Sequence, residues 1–155
     1  MGFEDTSGRN VQSHYGPRDN KSYYGGEQGS KGRVKTAVWT LGVDELNGDL
    51  PQGATHNLGM SIPAGSVLQS AMLNIKTAAD GTTPTLTVGL EQADGTAIDV
   101  DGIDVAVSIA SVGSVACDGA LIGASIGEAA GELTVACSAA DNTTGEVEIV
   151  VEYMY

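Results

Sequence analysis

Cations all but vanish from this sequence after position 35. Lys76 is the only Lys or Arg in residues 36–155, set against sixteen Asp and Glu, which leaves that stretch at −15. A surface of that sign repels nucleic-acid phosphates and anionic headgroups, so neither nucleic acid nor membrane is expected as a partner. Cysteine is nearly as scarce. Cys117 and Cys137 are the only two, too few for a disulfide framework, and they are expected as reduced, buried thiols. His14 and His56 lie far from them in sequence, so the set offers no metal-ligand spacing, and no metal or cofactor is expected. Aromatics make up 5% of the chain, with one Trp and one Phe, so the core has to be built from Ala, Val, Ile and Leu. No run of 18 apolar residues occurs, which excludes a membrane-crossing helix. The opening residues lack a basic stretch followed by an apolar one, so no secretory signal is expected.

Catalytic patterns are missing as well. Serines near His14 or His56 have no triad context, and no Gly-rich loop leads from a strand into a helix to hold phosphate. The chain is not expected to be an enzyme. Asp99-Val100-Asp101-Gly102-Ile103-Asp104 is the one cluster with ligand character, but its spacing fails the EF-hand pattern and it reads as a solvated turn. Asn142-Thr143-Thr144 matches a glycosylation acceptor, which carries no meaning without secretion.

What the chain has in quantity is glycine, 22 residues, and short alternating segments between polar turns. The stretch from Ile62 to Lys76 organises the rest. Pro63 and Gly65 make a corner, since proline fixes φ and glycine accepts conformations other residues avoid. After it Val67, Ala71, Leu73 and Ile75 fall on one face, with Gln69 a polar interruption, and Leu68, Ser70, Met72, Asn74 and Lys76 on the other. That period of two predicts a long, half-buried strand. Residues 33–40 read as a first strand anchored by Trp39, residues 41–57 as an irregular loop, and Leu58–Ile62 as a short strand. Leu86, Val88 and Leu90 alternate inward in the next strand, Leu133, Val135 and Cys137 in a later one, and Val147, Ile149, Val151 and Tyr153 in the last. Between residues 97 and 131 two readings stay open. Val105, Val107 and Ile109 alternate like a strand, while Val105, Ile109 and Val112 fit a helical face with Asp104 as N-cap. The expected fold is all-β, an antiparallel, jelly-roll-like sandwich over residues 33–155 with at most one short helix, in residues 100–130.

Residues 1–32 form a separate region, polar, rich in Gly, Ser and Asn, and without strand or helix period. Alone it buries too little to offset its ordering entropy, so it reads as an extended arm resting on its own domain or on a neighbouring subunit. Six of the seven basic residues of the chain lie in residues 1–35. Arg9, Arg18, Lys21, Lys31 and Arg33, with Tyr15, Tyr23 and Tyr24, are the candidate partner-binding residues. Interleaved cations and aromatics suit single-stranded nucleic acid too, but the small positive charge of the arm and the acidic body oppose that use.

Leu58-Gly59-Met60-Ser61-Ile62-Pro63-Ala64-Gly65-Ser66-Val67 running into an alternating strand resembles small virion proteins of tailed bacteriophages. So do Thr85–Glu91 followed by Asp94–Asp99, Cys117–Gly123, and the closing Gly145–Tyr153, so that the similarity spans residues 58–155. The resemblance implies a β-sandwich subunit without catalytic residues that assembles in the host cytoplasm and is attached to the capsid shell or tail, with the capsid exterior the expected place. A capsid decoration, or cement, protein is the expected type, bound to the major capsid protein and homo-oligomeric, with a trimer the expected form. A tail or head-fibre component is the alternative within the virion, and a bacterial surface or carbohydrate-binding sandwich the alternative outside it. The body is acidic on its outward positions and is expected to lack a long apolar strip that could hold it to a shell, so attachment is expected through the arm.

Overall fold

The computed structural model describes residues 34–43, 46, 56–139 and 141–155. Among the described residues eight strands follow one another: β1 (Val34–Leu41), β2 (His56–Ile62), β3 (Val67–Thr77), β4 (Thr85–Glu91), β5 (Ala97–Ser108), β6 (Gly113–Ala116), β7 (Gly131–Cys137) and β8 (Glu146–Met154). They form two four-stranded sheets, ordered β1-β8-β3-β6 and β2-β7-β4-β5. The first strand pairs with the last, the second with the seventh, the third with the sixth and the fourth with the fifth, all antiparallel. The chain is thus one long hairpin rolled up, and β8–β3 and β7–β4 pairing closes each sheet. This is the jelly roll. The expected all-β sandwich is what forms.

Alternation explains why these segments are strands. In β1 Ala37, Trp39 and Leu41 are buried, in β8 Val147, Ile149 and Val151, in β4 Leu86, Val88 and Leu90, and in β7 Leu133 and Val135. They meet in one core fed by both sheets. Burying a Leu or Ile side chain contributes roughly 1.5–3 kcal/mol, so aliphatic residues suffice where aromatics are few. The corner between β2 and β3 crosses from one sheet to the other. Ser66 N–H donates to Pro63 O (3.1 Å), Gly65 adopts φ 78°, and its N–H reaches Gly127 O (2.7 Å).

Regular register fails in β2, between Asn57 and Ser61, and with larger consequence in β3 and β5. In β3, Leu68 opposes Tyr153 and Ser70 opposes Glu152, so Gln69 is an extra residue. The bulge turns Leu68 inward, fully buried, on the same side as Ala71 and Leu73. Leu68 therefore belongs to the core, not to the outer face where a period of two assigns it.

The larger departure is β5, which spends twelve residues against the seven of β4. Its register shifts three times, and Ala106 takes φ 53° with its N–H donated to Thr87 Oγ1 (3.1 Å). No helix forms in residues 100–130. Of the proposed helical face only Ile109 is buried, while Val105 and Val112 are exposed. The open edge of β4 captures this segment instead, and Asp104 caps no helix but is itself buried, its Oδ1 accepting Val105 N–H (2.8 Å). The Asp99–Asp104 cluster is accordingly strand, not a solvated turn. After β6, residues 117–126 seal the remaining edge of β3: Cys117 N–H donates to Ala71 O, Gly123 N–H to Leu68 O and Ile126 N–H to Ser66 O.

At one end of the sandwich the β3–β4 and β7–β8 loops clasp each other. Asp80 Oδ1 accepts the N–H groups of Thr143 (2.6 Å) and Thr144 (2.9 Å), and Oδ2 accepts the Thr143 hydroxyl. In return Asp141 accepts the Thr82 N–H (3.0 Å) and hydroxyl (2.9 Å), and Asn142 Oδ1 the Gly81 N–H (2.9 Å).

Candidate interaction surface

The eight candidate residues of the arm, Arg9, Tyr15, Arg18, Lys21, Tyr23, Tyr24, Lys31 and Arg33, lie outside the described residues. The described residues begin at Val34, and one face of the sandwich sets exposed apolar side chains in ordered rows.

That face is the outer side of the β1-β8-β3-β6 sheet. In an antiparallel sheet, residues directly opposite each other share a face, so the register assembles rows across the strands. Val34, Met154 and Val67 make one row. Thr36, Glu152 and Ser70 make the next. Val38, Val150, Met72 and Ala116 form an apolar row across all four strands. Thr40, Glu148, Asn74 and Ser114 form another polar one. Rows two residues apart along a strand are separated by roughly 6.5–7 Å. The face is therefore striped, apolar and acidic in turn, and its apolar stripes are open to solvent: Val34 and Val38 are each 46% exposed and Met72 41%.

The acidic rows are held in place by their neighbours. Glu148 accepts from Lys76 Nζ (2.7 Å) and Asn74 Nδ2 (3.1 Å), and Asn74 Oδ1 accepts the Ser114 hydroxyl (2.7 Å). Lys76, and after it Asn74, holds the Glu148 carboxyl below its ordinary value, and Glu148 in turn raises Lys76. Among the described residues Glu152 accepts only the Ser70 hydroxyl (3.0 Å). It has the greater capacity left for an incoming cation.

This arrangement overturns the expectation that the body offers no apolar strip. No single strand carries one; Val38, Met72, Ala116 and Val150 come from four strands and meet only through register. The other sheet is less open on its outer side. The outward direction from Gly89 runs into the backbone of Asp99 and Val100, so β5 crosses over β4 there, and Thr134, beside Gly89 in the register, is buried.

The remaining sequence candidates do not come together as a site. Burial pushes the Cys117 thiol up to about 12, and the adjacent Asp104 carboxylate adds to the shift, so the thiol is inert at neutral pH. Cys117 and Cys137 are both free. Burial raises the Asp99 carboxyl, and Asp101 beside it adds to this. Among the described residues no three His, Cys, Asp or Glu side chains converge on one point.

Neither a protein-family model nor a curated protein sequence matches this chain. Solved structures do. A chain of the cyanophage Pam1 capsid asymmetric unit aligns with TM-score 0.55 and 18% identity, over 78% of this chain and 84% of that one. A chain of the capsid of Ralstonia phage GP4 aligns with TM-score 0.56 and 20% identity, over 79% and 84%. A chain of the acidic stable capsid of Helicobacter pylori bacteriophage KHP30 aligns with TM-score 0.51 and 15% identity, over 79% and 88%. At these identities the likeness is one of fold. All three are chains of phage capsids.

Proposed function

We propose that this chain is a non-enzymatic structural component of a tailed-phage virion that decorates the outside of the assembled head shell. The observation that carries the reading is the fold shared with chains of three phage capsids along most of their length. Its partner is the major capsid protein, and residues 1–32 are the attachment device. An extended arm of 30 residues reaches up to about 100 Å, enough to touch more than one shell subunit. Ordering it costs roughly 1–2 kcal/mol per residue, which tyrosine burial, backbone pairing and charge contacts with shell carboxylates have to exceed. A protein that binds the assembled shell and not its free subunits stabilises the shell by mass action. The acidic body, facing outward, keeps the particle from adhering to polyanions. Several copies associate on the shell, with a trimer the form proposed.

Imaging particles made with and without this chain tests the reading. Discrete density on the head exterior, lost when the chain is omitted, is the expected result. Unchanged heads with altered tails would assign the chain to the tail instead.

A further inference from the structure

The arm leaves the body beside the striped face, and the two are opposite in charge. Arg33 is bonded to Val34, the first residue of the Val34–Met154–Val67 row. Residues 18–33 carry Arg18, Lys21, Lys31 and Arg33 against Asp19 and Glu27, a net +2. The outward residues of β8 and β3 carry Glu146, Glu148 and Glu152 against Lys76, a net −2. From the Val34 row to the Thr40 row the face extends about 20 Å, while 16 residues reach up to about 55 Å, so the segment can reverse and run along it. Gly29 and Gly32 stand where that reversal is needed. Being tethered, the segment meets the face at an effective concentration in the millimolar range, so modest contacts suffice to hold it.

We propose that in the free protein residues 18–33 of the chain's own arm lie across the outer face of the β1-β8-β3-β6 sheet. Cations of the arm pair with Glu152 first and then with the Glu146–Glu148 end, and Tyr23 and Tyr24 cover the apolar row of Val38, Val150 and Met72. The shell then competes for an arm that is already parked. This concerns the protein free of any partner, so it stands or falls separately from the decoration reading.

The test is limited trypsin digestion of the full chain, following cleavage after Lys21 and Lys31 relative to cleavage after Arg9, which lies outside the segment. Three chains are compared: the native one, Glu148→Gln/Glu152→Gln, and Glu91→Gln/Glu132→Gln, which makes the same charge change on the other sheet. The relative rate after Lys21 and Lys31 is expected to rise roughly three- to tenfold in the first variant and not in the second, and to rise likewise in the native chain between low and high salt. Equal relative rates in all three chains overturn the proposal. Protection that deepens with protein concentration overturns it too, because the face then holds the arm of a second copy.

Discussion

Gly89 is the position where the rolled-up hairpin is least forgiving. A Cβ there would lie 2.1 Å from the carbonyl carbon of Val100 and 2.3 Å from Asp99 O. Carbon–carbon contacts settle near about 3.5–4.0 Å, so in Gly89→Ala β5 has to retreat by roughly 1.5 Å. The obstacle is backbone and cannot rotate away. Retreat breaks the pairing of Leu90 with Asp99, where β5 already departs from regular register. Overpacking a filled site costs about 1–3 kcal/mol, and a backbone obstacle places this case near the top of that range. For a domain of this size about 3 kcal/mol lowers Tm by roughly 6–12 °C. Gly95→Ala is the control: it has φ +85° but nothing within 4 Å, so it bears only the left-handed penalty of about 1–2 kcal/mol. Thermal unfolding followed by circular dichroism measures both. A Gly89→Ala chain that melts within a degree of the native one refutes the crossing of β5 over β4.

The loop clasp predicts an acid transition. The Thr143 hydroxyl, then the Thr144 and Thr143 N–H groups, lower the Asp80 carboxyl from its ordinary 3.8 to about 2, so its contribution is complete above the unfolded value and is lost as pH falls from there through about 2. Asp80→Asn is expected to lower Tm at neutral pH and to flatten the decline of Tm over that acid range; identical pH profiles for the two chains would refute it. Thiol labelling at pH 8 is expected to leave Cys117 unmodified until the chain unfolds, and intact mass without reductant should show no 117–137 bridge; rapid native labelling of Cys117 would contradict its burial.

Much of this fold was legible because strands buried on one face announce themselves by alternation. The inward sets of β4, β7 and β8 and the Pro63–Gly65 corner follow from residue order alone. The departures share one cause. A bulge such as Gln69 in β3 is fixed by what the partner strand presents, and the course of β5 over Gly89 by an edge that β4 leaves open. Neither is written in local sequence. The apolar row of Val38, Val150, Met72 and Ala116 was hidden for the same reason, since each residue is an unremarkable outward position until register brings the four together. The burial of Asp104 beside Cys117 likewise depends on where β5 bends. The eight arm residues were legible only through composition and charge.

The most direct test of the central claim is co-sedimentation with head shells that carry none of this protein, comparing the full chain with one lacking residues 1–32. The eight strands of the described residues all lie after residue 33, so the shorter chain retains their pairings. The full chain is expected to pellet with the shells to saturation, and the shorter chain, folded by circular dichroism, to stay in the supernatant. A shortened chain that saturates the shells with unchanged affinity would contradict the account and move the attachment surface to the sandwich.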